Sequence, residues 1–257
     1  MDIILNGALG KMGRMVMDVC EVKGDRVVAI VERKGHPKSL TDIETHWGVL
    51  RVLDDPKQVL VRADVGIDFS SPEGAAGFCE AMASLGIPVL SGTTGLAEFH
   101  FEKIRRAAEK VPVLWTPNAS YGVFCLSEMV SLLASLLPLD YDCEIVEVHH
   151  KHKRDAPSGT ALMLAEMVAT VRGAKVQVGR DASSGQRGGD VFVHSVRGGE
   201  VVGEHTVLFL GETDRIEIKH IALSRQAFAL GAVELARKIV KMPPGLYTMK
   251  DLFSKRP

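Results

Sequence analysis

Asp2-Ile3-Ile4-Leu5-Asn6-Gly7-Ala8-Leu9-Gly10-Lys11-Met12-Gly13 runs a short apolar segment into a glycine-spaced loop and then into a helical pattern. Ile3-Ile4-Leu5 is unbroken by polar residues, as in a strand buried on both faces. From about Lys11 to Val22, the residues Met12, Met15, Val16 and Val19 fall on one helical face. A strand, a glycine turn and a helix in that order predict the first βα unit of a dinucleotide-binding sheet. Glycines there let backbone N–H groups approach a pyrophosphate, and the helix N-terminus attracts negative charge. The spacing is G-x-x-G-x-x-G rather than G-x-G-x-x-G, so the context carries the reading.

The alternation continues to about residue 120. Residues 26–31 read as a second strand and 65–70 as another, with Ser71-Pro72 opening a helix as N-cap and first-turn proline. Residues 88–91 and 111–116 read as strands around a helix at 97–110. This spacing predicts a parallel sheet with helices on both faces. Glu32 closes the second strand, where an acid suits a ribose 2′-hydroxyl; Arg33 and Lys34 beside it suit a 2′-phosphate. The plainer alternative is a βα turn followed by a solvated charge run. Ser91-Gly92-Thr93-Thr94-Gly95 and Thr116-Pro117-Asn118-Ala119-Ser120-Tyr121-Gly122 are small polar loops after strands, where ligands of open α/β sheets sit. Each alone also reads as a simple turn.

Beyond residue 120 the pattern changes. Residues 126–137 and 160–171 read as helices and 142–148 as a strand. Strand-like runs follow at 191–196, 201–210 and 215–222, punctuated by Gly185, Gly188-Gly189 and Gly198-Gly199. A last helix at 226–241 ends at Met242-Pro243-Pro244-Gly245, and the tail from Tyr247 to Phe253 is expected to pack on the first domain. The expected fold class is α/β: a Rossmann-type parallel-sheet dinucleotide-binding domain (residues 1–122 and 231–257) plus an α+β domain on a mixed open sheet (123–230).

Composition removes several classes of function. Lys and Arg number 31 against 32 Asp and Glu, a net charge of -1, so no global basic field holds nucleic acid or an anionic membrane. Aromatic residues at 5% argue against a base-stacking platform. Cys20, Cys79, Cys125 and Cys143 are scattered without metal spacing and read as small apolar side chains in a reducing compartment. With no basic region leading an apolar run at the N-terminus and no span-length apolar stretch, a cytoplasmic location is expected.

The densest cluster of chemistry is Glu147-Val148-His149-His150-Lys151-His152-Lys153-Arg154-Asp155-Ala156-Pro157-Ser158-Gly159-Thr160. Three His, two Lys and one Arg in six residues run into a helix start capped by Ser158. Cations beside a helix N-terminus make an anion site that suits a dicarboxylate. A His there can act as general acid near neutral pH. Two other readings stand beside this one: a solvated basic loop, and a metal site of His149, His150 and His152. The neighbouring lysines and the lack of a completing carboxylate or cysteine disfavour the metal, and none is expected.

This element closely resembles the E-x-H-H-x-x-K-x-D-A-P-S-G-T signature of the bacterial dihydrodipicolinate (4-hydroxy-tetrahydrodipicolinate) reductase family. The resemblance covers nearly the whole chain: the Gly7–Gly13 loop with Arg14, Asp68-Phe69-Ser70 with Pro72 and Glu73, Gly92–Gly95, Asn118 with Ser120 and Gly122, Val202-Gly203-Glu204-His205-Thr206, and Gly245-Leu246-Tyr247. It implies reduction, by NADH or NADPH, of a cyclic imine dicarboxylate on the route to diaminopimelate and lysine. It further implies His149 as acid/base, Lys153 as second proton donor, and His150, Ser158, Gly159 and Thr160 as substrate-binding. The cofactor residues it implies are Gly7, Ala8, Leu9, Gly10, Lys11, Met12, Glu32, Arg33, Gly92, Thr93, Thr94, Thr116, Pro117, Asn118 and Ala119. Ala119 stands where many members carry a bulkier residue such as Phe. The resemblance also implies a homotetramer built by the second domain.

Overall fold

The computed structural model describes residues 1–181 and 188–253. The chain divides into two compact units, Met1–Ser120 with Gln226–Pro257, and Tyr121–Arg225. Unit 1 opens with β1 (Asp2–Asn6), α1 (Lys11–Lys23), β2 (Arg26–Val31), β3 (Asp42–Thr45) and β4 (Gly48–Leu53). It continues with β5 (Val65–Asp68), α2 (Pro72–Ser84), β6 (Val89–Ser91), α3 (Glu98–Ala108) and β7 (Pro112–Trp115). Unit 2 holds α4 (Tyr121–Leu136), β8 (Asp142–His149), α5 (Gly159–Arg172), β9 (Val176–Val178), β10 (Val191–Arg197), β11 (Gly203–Leu210) and β12 (Arg215–Ala222). The chain then returns to unit 1 with α6 (Gln226–Ile239), β13 (Gly245–Tyr247) and α7 (Met249–Phe253).

The sheet of unit 1 runs β13-β7-β6-β5-β1-β2-β4-β3, parallel throughout except for the β3–β4 hairpin. Ile3, Ile4 and Leu5 are fully buried, because helices cover both faces of β1. Phe78 and Met82 of α2 and Ile104 of α3 pack with Ile4, Val89 and Val113. On the other side α6 packs on α1 and on β5, β6 and β7. From β1 the chain moves outward to β2 in one direction and returns to β5 on the other side. The carboxyl ends of β1 and β5 therefore flank the switch point at which such sheets open a crevice.

Five local elements depart from the sequence reading. No strand was expected at β3, β4, β9 or β13. β3 and β4 form an edge hairpin of mostly exposed residues, which leaves little apolar signal. β9 and β13 are three residues each and exist by adding to the edges of β10 and β7. The helix expected at 126–137 begins at Tyr121, since burial of Val123 secures a first turn whose Gly122 weakens the helical pattern.

The sheet of unit 2 runs β12-β11-β8-β10-β9 and is mixed: β10 is parallel to β8 and β9, while β11 is antiparallel to β8 and β12. Along β8, Cys143, Ile145, Glu147 and His149 alternate onto the buried face. That face packs under Leu126 and Val130 of α4 and Leu164 and Val168 of α5. The turn expected at Gly185 lies outside the described residues.

Candidate active site

In unit 1 the segment after β1 turns sharply at Gly7, whose φ is +73° and whose N–H donates to Val31 O. A Cβ at Gly7 would lie 2.3 Å from Phe69 O, and one at Gly13 would lie 2.2 Å from Gly7 O, so both positions require glycine. Gly10 is the N-cap of α1 and brings no side chain to the first N–H groups of the helix. Ser71, by contrast, caps α2 by accepting from Gly74 N. An uncapped helix start beside a glycine turn suits a phosphate group. Gly7, Gly10, Glu32, Arg33 and Lys34 line a cavity of about 530 Å³ together with Phe69, Ser70 and Ser71. Glu32 is buried and accepts from Leu9 N at 2.6 Å, which joins the end of β2 to the glycine loop. Arg33 and Lys34 line the cavity as exposed side chains. Lys11 at the start of α1 is also exposed, while Ala8 is buried and Met12 half-buried.

The loops after β6 and β7 are ordered from within. Thr93 is buried, with Gly92 half-buried and Thr94 exposed beside it. Thr116 Oγ1 donates to Asn118 O, and Asn118 Oδ1 accepts from Ser120 N. Pro117 is exposed, and Ala119 is buried. These two loops do not line the 530 Å³ cavity; they lie beyond neighbouring strands of the same sheet edge.

In unit 2 the centre is Glu147, fully buried at the end of β8. Its Oε2 accepts from His149 Nδ1 at 2.5 Å and Arg197 Nη1 at 2.7 Å; its Oε1 accepts from Arg197 Nη2 at 2.7 Å and Ser158 N at 3.1 Å. Burial alone would raise the Glu147 carboxyl, but hydrogen bonds from Arg197, His149 and Ser195 outweigh it and bring it down to about 2. An ionised Glu147 keeps the proton of neutral His149 on Nδ1, leaving Nε2 as the exchanging atom. Burial lowers the His149 pKa, and Lys153 and Arg197 push the same way, while Glu147 opposes them. A Cβ at Gly203 would sit 2.9 Å from His149 Nε2, so this glycine makes room for the ring.

The dense run of cations disperses in space. His149 faces Glu147, His150 Nε2 meets Arg225 at 3.1 Å, and Lys153 Nζ lies 2.8 Å from Asp155. Lys151 and His152 turn outward to Glu200, and Arg154 is exposed. Among the described residues no group of three or more His, Cys, Asp or Glu side chains is arranged to hold a metal. Ser158 caps α5 by accepting from Ala161 N, and its buried hydroxyl also bonds His205 Nε2 at 3.0 Å. Both its N–H and its hydroxyl are engaged inside the protein, whereas Gly159 is exposed and Thr160 half-buried at the helix start.

Arg197 and His205 had no assigned role in the sequence reading, where His205 stood only within the Val202–Thr206 stretch of the resemblance. Arg197 reaches Glu147 because β10 pairs in parallel with β8, Ser195 opposite Glu147. His205 stands opposite Glu147 on β11 and stacks edge-on to His149 at 5.2 Å. Burial pushes the His205 pKa down to about 4.

Residues 1–119 match the family model for the N-terminus of dihydrodipicolinate reductase, and residues 122–253 match that for its C-terminus. The chain belongs to the dihydrodipicolinate reductase family. A 4-hydroxy-tetrahydrodipicolinate reductase of Anaeromyxobacter dehalogenans is 40% identical over 99% of this chain and 98% of its own. One from Archaeoglobus fulgidus is 40% identical over 98% of this chain and 99% of its own. Among solved structures, the dipicolinate-bound dihydrodipicolinate reductase of Paenisporosarcina sp. TG-14 shares the fold. Its TM-score is 0.81, with 24% identity and 98% coverage of both chains. Membership in the family makes this chain an oxidoreductase that works with a nicotinamide cofactor.

Proposed function

We propose that the chain is a 4-hydroxy-tetrahydrodipicolinate reductase that reduces a cyclic imine dicarboxylate with NADH or NADPH. The observation that carries this reading is the buried Glu147–His149–Arg197 arrangement beside the N-terminus of α5, within the specific 147–160 element. A bound nicotinamide supplies the hydride. His149 Nε2 holds the proton that the reduced substrate takes up, with Glu147 fixing the ring and Arg197 fixing Glu147. Lys153 serves as the second proton donor and trades its bond to Asp155 for substrate. His150 and the backbone of Gly159 and Thr160 at the start of α5 take a substrate carboxylate. Ser158 shapes this place as the cap, with its hydroxyl turned to His205.

The glycine turn and uncapped α1 of unit 1 take the pyrophosphate, from Gly7, Ala8 and Leu9 through Gly10, Lys11 and Met12. Glu32 suits the 2′-hydroxyl of NADH and Arg33 the 2′-phosphate of NADPH, which supports use of both. Gly92, Thr93 and Thr94, with Thr116, Pro117, Asn118 and Ala119, form the nicotinamide end. Unit 2 is the part that binds substrate and builds a homotetramer; the exposure of Val196 and Ile221 on the second face of its sheet supports self-association. A cytoplasmic location is part of this proposal; no described helix is long and apolar enough to cross a membrane. The His149→Gln variant tests the acid/base role. It is expected to bind NADH normally and to lose most turnover; normal turnover contradicts the role.

A further inference from the structure

A fully buried carboxylate, Asp68, stands at the carboxyl end of β5 beside the crevice and takes no part in the cofactor contacts proposed above. Its Oδ1 accepts from Asn6 Nδ2 at 2.8 Å and from Ser70 Oγ at 2.5 Å. Its Oδ2 accepts from Ser91 Oγ and Thr93 Oγ1, both at 2.7 Å. The four donors come from the ends of β1 and β6 and from the turn after β5. They fill the four lone-pair directions a carboxylate offers.

The bonds also fix which way each hydroxyl points. The Ser70, Ser91 and Thr93 protons are all spent on Asp68, so these oxygens offer only lone pairs elsewhere. Ser70 Oγ accepts from Asn6 Nδ2, Thr93 Oγ1 accepts from Ser70 N at 3.0 Å, and Ser91 Oγ accepts from Thr93 N at 3.4 Å. The next residue, Phe69, is wedged between two loops of the crevice. A Cβ at Gly7 would meet its carbonyl oxygen at 2.3 Å, and one at Gly92 would meet its ring at 2.2 Å. A shift of the chain at 68–70 therefore moves the glycine turn and the Gly92 loop together.

We propose that Asp68 is a positioning residue for the dinucleotide: it ties the ends of β1, β5 and β6 into one network and so presets the Gly7 and Gly92–Thr94 backbones against the cofactor. This rests on unit 1 being the cofactor domain. Among the described residues the Asp68 carboxylate bonds Asn6, Ser70, Ser91 and Thr93 alone, while its main-chain oxygen accepts from Gly92 N at 2.9 Å. An amide in its place keeps one oxygen and turns an NH2 group toward hydroxyls whose own protons pointed at the oxygen it replaces. The Ser91 and Thr93 oxygens then lose their common acceptor.

The test compares wild type, Asp68→Asn and the milder Ser91→Ala by NADH titration, by steady-state kinetics and by thermal unfolding. Asp68→Asn is expected to raise the Kd and KM for NADH about tenfold, with kcat at saturating NADH within about twofold of wild type. Ser91→Ala, which removes one donor, is expected to raise the Kd about threefold. Variants that melt earlier yet bind NADH as wild type overturn the proposal, because a purely structural role has that signature. A fall in kcat with unchanged KM also overturns it. Wild-type protein that binds neither NADH nor NADPH overturns the cofactor reading itself.

Discussion

Replacing Glu147 by Gln keeps the shape of the side chain and removes its charge. In the native protein that carboxylate accepts from His149 Nδ1, from both terminal nitrogens of Arg197 and from Ser158 N while shut off from water. Charge-assisted hydrogen bonds of this kind are worth about 1.5–3 kcal/mol each, so loss of the His149 contact lowers turnover roughly ten- to a hundredfold. Breaking the buried pair with Arg197 costs about 3 kcal/mol of stability, which lowers Tm by several degrees. Glu147 also opposes the burial that depresses the His149 pKa, so its loss depresses that pKa further. With the charged His149 imidazole as the proposed proton donor, the high-pH limb of the rate profile is expected to move to lower pH. The assay is the pH dependence of kcat for wild type and Glu147→Gln, alongside NADH titration, which stays within about twofold because the cofactor site belongs to unit 1. A variant with wild-type kcat and an unmoved limb refutes the argument that Glu147 holds and tunes His149.

Two further outcomes are expected. His205 is held neutral by burial, its pKa falling from the ordinary 6.5 to about 4. A depressed histidine pKa means that the unfolded chain takes up a proton that the native state refuses. The stability is complete above pH 6.5 and is lost as pH falls toward 4, by about 3 kcal/mol. Thermal melts across that window show the loss, and His205→Gln flattens it; an equally steep curve in the variant contradicts the assignment. Gly203→Ala places a methyl 2.9 Å from His149 Nε2 and displaces the ring, so kcat falls at least tenfold while NADH affinity holds. Unchanged kcat in that variant shows that the ring does not work from this position.

The parallel half of the fold was legible because each of its early strands ends in a polar or glycine-marked turn. Ile3-Ile4-Leu5 running into Gly7 is such a case, and Ser71-Pro72 announces α2 with its own cap. β3, β4, β9 and β13 were not, since edge strands of exposed or very few residues depend on a neighbour that the local pattern does not name. In unit 2 the pairing of Glu147 with His149 follows from strand period alone, as residues two apart share a face. Arg197 and His205 reach that pair only through the registers of β10 and β11 on β8, which one sequence does not contain. Counting cations between His149 and Arg154 overstated the local positive charge. Asp155 engages Lys153, Glu200 faces Lys151 and His152, and the side chains of Lys151, His152 and Arg154 turn to the surface.

The most direct measurement supplies aspartate semialdehyde and pyruvate to the enzyme that condenses them, adds this protein, and follows the absorbance of NADH and, separately, of NADPH. The account predicts oxidation that requires both carbon substrates, proceeds with either cofactor and is largely abolished in His149→Gln. No oxidation of either cofactor by the wild-type protein contradicts it.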